Sequence, residues 1–515
     1  MDQLFLIKFL IPLIWAIGFM FAPKNNEKSV KLLALIGSLV TLAYSVKMFI
    51  DLPDSGVLTT LFKFDMPLFF NMSYTFAMDG LSGLLLLLNA FLLLVVVITT
   101  WDIKTDKLRL YYFLLFLLTW AVNGSLLSTS LYGFYIFWEV MLIPLFILVG
   151  VFGGENRRYA SFKFFMMTAA GSILMLASMC YMSALAYKFN GSYDLNYEII
   201  KSLGLKYDGF LSPQSLIFWS FSIAFFLKVP VFPFHSWLPD AHVEAPTAGS
   251  IILAGILLKL GIYGFLRFVI PLFPEAVDAN RDIVLYLGAI GVIYGALTAW
   301  VQKDIKKLVA FSSISHMGYI IMGVFSQNPF AVKGAIFQMI AHGISTPGLF
   351  IGVHYLYTRT HTKKMDMYGG IASVMPKFAI LFFIITAGSM AVPMTCGFVG
   401  EFMVIMGTYQ VNKVVAVLAA TGIMLSPIYL LKMYHLTALG EMKHEENKSL
   451  KDISLLEATP LLVLSILTIV FGLYPQAIMS LFDGTINFFV NKGLQDGKLN
   501  IRSKRFNLPC SQCGS

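Results

Sequence analysis

What this chain has least of is charge. Only 13% of its 515 residues are Asp, Glu, Lys or Arg, about half the share found in soluble domains. Such scarcity excludes intrinsic disorder, which needs high charge and low hydrophobicity. It also excludes an ordinary water-soluble enzyme, because 28 acidic residues cannot cover a globule that must also hide 46 Phe and 26 Met. Cysteine is equally sparse. Four residues, scattered along the chain, make neither a disulfide framework nor an iron–sulfur ligand set. No GxGxxG, no P-loop and no zinc-protease helix occurs, so no nucleotide site of its own is evident.

What fills the chain is apolar sequence, 58% of the residues, gathered into about fourteen runs between positions 4 and 482. Each run is long enough, at roughly 17–25 residues, to cross a bilayer. The first is not expected to be a signal peptide, since its basic cluster (Lys24, Lys28, Lys31) follows the apolar stretch and no small-x-small cleavage site is visible. The fold expected is an all-α polytopic membrane protein. A net charge of +9 would suggest nucleic acid in a soluble protein; here it reports orientation, and no nucleic-acid partner is expected. Nineteen loop Lys and Arg fall on the side of Lys24 and seven on the other. The positive-inside rule then puts the Lys24 side in the cytoplasm and both termini outside, in a bacterial inner membrane. The tail (Lys492, Lys498, Arg502, Lys504, Arg505) dissents by placing basic residues outside.

Proline interrupts two of the runs. One break is Lys228-Val-Pro230-Val-Phe-Pro233, with Pro239 and Pro246 following. The other is at Pro393, with Gly397 and Gly400 before the run resumes. In lipid, carbonyls freed by proline must find protein or water, so such breaks line cavities. Interrupted helices five runs apart point to two inverted repeats with a mid-membrane site. The expected organisation is helices 1–3 over 1–108, a first repeat over 109–272, a second over 273–437, and a last helix with a tail over 438–515.

A few ionisable residues sit deep in apolar sequence: Glu139, Lys228, Lys259, His316, His342 and Glu401. A charge at the bilayer centre costs about 2.5–3.5 kcal/mol, so four cost on the order of 10 kcal/mol, the stability of a whole domain. They fall near one depth, which suggests lateral proton transfer rather than a channel along the membrane normal. Lysine and carboxylate tune one another, and histidine shuttles protons near neutral pH. The bland alternatives are a locking Glu139–Lys228 ion pair and interhelical hydrogen bonds for the histidines. Tyr263 and Arg267 share the face of Lys259, and Arg267 is expected to anchor at the membrane interface. The His235–Glu244 segment reads as a rigid polar lid or proton entrance, with a metal site as the weaker option. Gly291 and Gly295 read as close helix packing. Cys510 and Cys513 form a lone CxxC with no second pair.

The run Leu227-Lys228-Val-Pro-Val-Phe-Pro-Phe-His235-Ser-Trp-Leu-Pro-Asp240-Ala-His242-Val-Glu-Ala-Pro246-Thr, with Trp138-Glu139, Leu258-Lys259, Ser315-His316-Met-Gly, Ala341-His342-Gly and Gly400-Glu401-Phe402 in order, resembles the antiporter-like membrane subunits of respiratory complex I. The resemblance covers nearly the whole chain. It implies fourteen helices in two inverted repeats and proton translocation driven by NADH:quinone chemistry elsewhere. Glu139 and Lys228 would be a coupling pair, Lys259, His316 and His342 a link, and Glu401 the exit group. FMN, iron–sulfur clusters and quinone would belong to partner subunits, with no cofactor in this chain. Partners would be antiporter-like neighbours, a lateral helix from an L-type subunit, and lipids. Glutamate at 401, where sister subunits and multisubunit cation/proton antiporters carry lysine, favours the M type. The rivals are a subunit of a sodium/proton antiporter or membrane-bound hydrogenase, and a purely structural spacer. An unusual Pro347 after His342 could alter that helix locally.

Overall fold

The computed structural model describes residues 2–23, 26–52, 58–66, 72–442 and 444–486. Cys510, Cys513 and the basic tail lie outside them. Among the described residues, eleven helices are long and apolar enough to span a membrane, and Phe5–Phe21 and Pro376–Ser389 are shorter apolar helices. The architecture is the expected all-α polytopic one, with one addition. Thr59–Met66 and Met72–Met78 pair as an antiparallel hairpin. The alternating Thr, Phe and Tyr residues there carry a period-two pattern overlooked between two strong helical runs. Thr129 N–H donates to Thr75 O at 3.0 Å and ties this hairpin to the helical body.

Both proline breaks are real, and at each one a side chain from another element reaches a main-chain carbonyl. The first helix, Pro213–Lys228, ends on the lysine itself. There Trp237 Nε1–H reaches back to Leu227 O at 2.7 Å, and a short helix, Trp237–Glu244, follows. At the second break Pro376–Ser389 stops and Cys396–Val411 begins. Ser426 Oγ donates to Met390 O at 3.4 Å. Gly397 and Gly400 therefore lie inside the resumed helix, not before it. Their small size serves packing: a Cβ on Gly397 would lie 2.2 Å from Gly388 O, and one on Gly400 2.9 Å from Gln338 Cα.

The Lys259 helix departs from its sequence pattern. Thr247–Leu272 is one buried span, but Leu253–Leu257 and Phe265–Val269 are π-helical. A π turn leaves a carbonyl without its usual backbone donor, and such turns gather at functional sites. Hydrophobic periodicity carries no sign of them. Helix Pro329–Thr360 crosses this span closely, since a Cβ on Gly343 would come within 3.0 Å of Gly255 O. Pro347 does not end that helix; it packs at the same crossing, within 3.2 Å of a Cβ built on Gly255.

Arg267 is not an interface anchor. It is 3% exposed and paired with Asp79 at 2.6 Å, with its Nε–H on the Tyr263 hydroxyl Oη at 3.1 Å. Tyr263 in turn donates to Leu126 O at 2.7 Å. Asp79 also caps the helix Gly80–Thr99. The pair thus clamps the Lys259 helix to two others, and removing one partner of such a pair costs about 3–5 kcal/mol.

The GxxxG glycines divide in their demands. A Cβ on Gly295 would sit 2.6 Å from Ser315 N, whereas one on Gly291 meets only Gly318 Cα, at 3.9 Å. Gly295→Ala is expected to cost about 1–3 kcal/mol through overpacking and to lower the amount of intact protein in membranes. Gly291→Ala should be tolerated, and immunoblots of the two variants side by side check this.

Candidate functional site

Four of the six deep ionisable residues form two hydrogen-bonded pairs, Lys259–His342 and His316–Glu401, whose imidazole rings meet edge-on. The Lys259 ammonium donates to Ala254 O, inside the first π segment, and meets His342 Nδ1 at 2.8 Å. The His342 ring lies edge-on to that of His316, with centroids 5.6 Å apart. His316 Nδ1 is 2.7 Å from Glu401 Oε1, and its Nε2 is 3.4 Å from Ser389 Oγ. Gln338 Nε2 donates to the same Glu401 oxygen at 3.1 Å. All four residues are at most 3% exposed.

Packing explains the placement. His342 precedes Gly343, whose close approach to Gly255 brings the imidazole to the π segment and to Lys259. His316 lies on Ile305–Phe325, where Gly318 abuts Gly288 O and Val292 of the helix Pro274–Val301. Glu401 follows Gly400, the contact with Gln338, which is four residues before His342 and so on the same face.

Glu139 and Lys228 make no hydrogen bond to these pairs or to each other. No ion pair joins them. Lys228 Nζ lies 4.8 Å from the centre of the Trp138 ring, a cation–π placement. Lys228 Nζ and Glu139 Oε1 are buried without a protein hydrogen-bond partner, as are His342 Nε2 and Glu401 Oε2. Buried polar atoms of this kind are where ordered water is held. A further histidine, His242, is fully buried and stacked on Phe350 at 4.6 Å, with both ring nitrogens unpartnered. Among the described residues no three His, Cys, Asp or Glu side chains converge as a metal site.

Sequence reasoning missed Gln338, Ser389 and the Trp138–Lys228 contact. Gln338 carried a usable signal, a polar side chain one turn from His342 in an apolar helix. Ser389 and Trp138 carried none, because their roles arise from helices meeting across the break.

Residues 128–426 match the family model described as NADH:quinone oxidoreductase/Mrp antiporter, transmembrane. This chain belongs to that family. It is similar to NADH-quinone oxidoreductase subunit M of Rickettsia bellii, with 39% identity over 92% of this chain and 95% of the relative. A solved structure, respiratory complex I from Thermus thermophilus with bound NADH, contains a chain that superposes with a TM-score of 0.83 at 28% identity, covering 94% of this chain and 99% of that one. The Mrp complex from Dietzia shares the fold, with a TM-score of 0.78 at 20% identity over 95% and 99% of the two chains. The chain is therefore a membrane subunit of the NADH-quinone oxidoreductase kind, and in this chain that fold buries the Lys–His–His–Glu series.

Proposed function

We propose that this chain is the M-type proton-translocating subunit of a bacterial NADH:quinone oxidoreductase. It would move protons laterally through Lys259, His342, His316 and Glu401 at mid-membrane. The observation that carries the reading is the series from the Lys259 ammonium to the Glu401 carboxylate, two hydrogen-bonded pairs joined by the edge-on contact of His342 and His316. Each member can gain and lose a proton, and each neighbouring pair is in contact. A proton on Lys259 passes to His342 Nδ1, and the imidazole releases one from Nε2 toward His316. His316 Nδ1 then hands one to Glu401 Oε1, while the second carboxylate oxygen, Oε2, has no protein partner. Glu139 and Lys228 act as the controlling pair. With the Trp138 ring beneath the ammonium and no carboxylate on it, small shifts of either helix change the charge that Lys228 presents to Lys259.

The two-repeat organisation (109–272 and 273–437) sets one broken helix in each half. FMN, iron–sulfur clusters and quinone are assigned to partner subunits, alongside antiporter-like neighbours and an L-type lateral helix. The membrane is assigned as the bacterial inner membrane, with both termini periplasmic. Co-purification tests the reading. Tagged chain drawn from membranes should bring down flavin- and iron–sulfur-containing partners that oxidise NADH. Sodium/proton exchange by a complex without them would overturn it in favour of an antiporter.

A further inference from the structure

The segment 243–247 joins the two lysine-bearing elements, running from the short helix after the Lys228 break to the start of the Lys259 helix. The carbonyls of Val243, Glu244 and the C-cap residue Ala245 lie at the C-terminal end of Trp237–Glu244, where a helix cannot satisfy them internally. All three are held from outside. Lys363 Nζ donates to Val243 O at 2.9 Å, Gly154 N to Glu244 O at 2.9 Å, and Lys306 Nζ to Ala245 O at 2.6 Å. Two residues on, Thr247 Oγ1 shares a hydrogen bond with His354 Nδ1 at 2.9 Å.

Two of the four holding groups lie on the helices that carry the relay histidines, and a third lies three residues past the end of one of them. Lys306 lies on the His316 helix, His354 lies on the His342 helix, and Lys363 follows the latter. The two lysine loops are themselves zipped together: Ile305 N donates to Lys363 O and Met365 N to Lys303 O, both at 2.9 Å. They therefore act as one body. Cations at a helix C-terminus are favoured by its partial negative charge, so the grip is attractive. Lys306 is also 8% exposed and, among the described residues, in no ion pair. The gripped segment forms one wall of a cavity of about 890 Å³ that Lys306, Lys363 and His354 also line.

We infer that Lys306 and Lys363 are positioning residues, a latch by which the His316 and His342 helices set the position of the segment between Lys228 and Lys259. This rests on the relay reading proposed above. Any displacement of those helices as protons pass is transmitted through the latch to the Lys228 break and to the cavity wall.

The test uses the assembled complex in sealed vesicles, reading protons moved per two electrons alongside quinone reduction. Lys306→Met should still reduce quinone but lose this subunit's share of the protons, and Lys306→Arg, which keeps a cation on Ala245 O, should restore it. A merely structural role would lower the amount of complex and leave the ratio unchanged. If Lys306→Met does not assemble, Lys363→Met, at a half-buried position, should show the same loss of ratio. A normal ratio in the assembled variant, or failure of both variants to assemble, would overturn the latch. Lys228→Ala in the same vesicles separates the two ideas: a normal ratio there sinks the relay itself, whereas a lost ratio there with a normal one for Lys306→Met sinks only the latch.

Discussion

Lys259→Met is expected to yield an assembled complex in which this chain no longer moves protons. Methionine matches the length of lysine without the ammonium, so two acceptors lose their donor, Ala254 O and His342 Nδ1. An unsatisfied buried acceptor costs about 1–3 kcal/mol. Against this, removing a charge from mid-membrane recovers about 2.5–3.5 kcal/mol. The two effects largely offset, so the fold should persist and the loss should be functional. Lys259→Arg sharpens the point. Guanidinium keeps the charge and donors but does not release its proton in a protein. A static structural cation would be rescued by arginine; a relay group would not. Native gels for assembly and proton uptake on NADH oxidation decide between them.

Glu401→Gln is expected to have an effect of similar size by a different route. The amide is isosteric and can still accept from His316 and Gln338, the two contacts the carboxylate makes at 2.7 and 3.1 Å. What disappears is the capacity to take up and release a proton, which for a positioned acid or base is worth about 10²–10⁴-fold in rate. Glu401→Asp should retain part of the function, because the group still ionises but sits one methylene further from His316. Proton translocation in vesicles, measured beside quinone reduction, should rank wild type above Asp and Asp far above Gln. Equal translocation by the Gln variant would show that Glu401 only fixes His316 in place.

The membrane architecture and the burial of Lys228, Lys259, His316, His342 and Glu401 were legible because both rest on composition, whereas Glu139 is half-buried. A Lys or Glu amid a dozen apolar residues is expensive wherever the helices lie. What could not be read was contact. The sequence reads Glu139 and Lys228 as a possible ion pair, but Trp138 occupies the space over the ammonium instead. Arg267 looked like an anchor near a helix end; its partner Asp79 lies 188 positions away. The π turns around Lys259 leave the hydrophobic pattern intact while turning Ala254 O toward the ammonium. Gly343 and Gly400 could be read only as small residues, yet their close approaches set His342 and Glu401 in line.

The most direct measurement is the proton-to-electron ratio of the assembled complex carrying Lys259→Met, Glu401→Gln, and both together. Groups acting in one series are strongly non-additive. The account predicts that each single variant loses this chain's contribution and that the double variant loses no more. Normal ratios in the singles, or a double variant whose loss is the sum of two partial ones, would contradict a single path through Lys259, His342, His316 and Glu401.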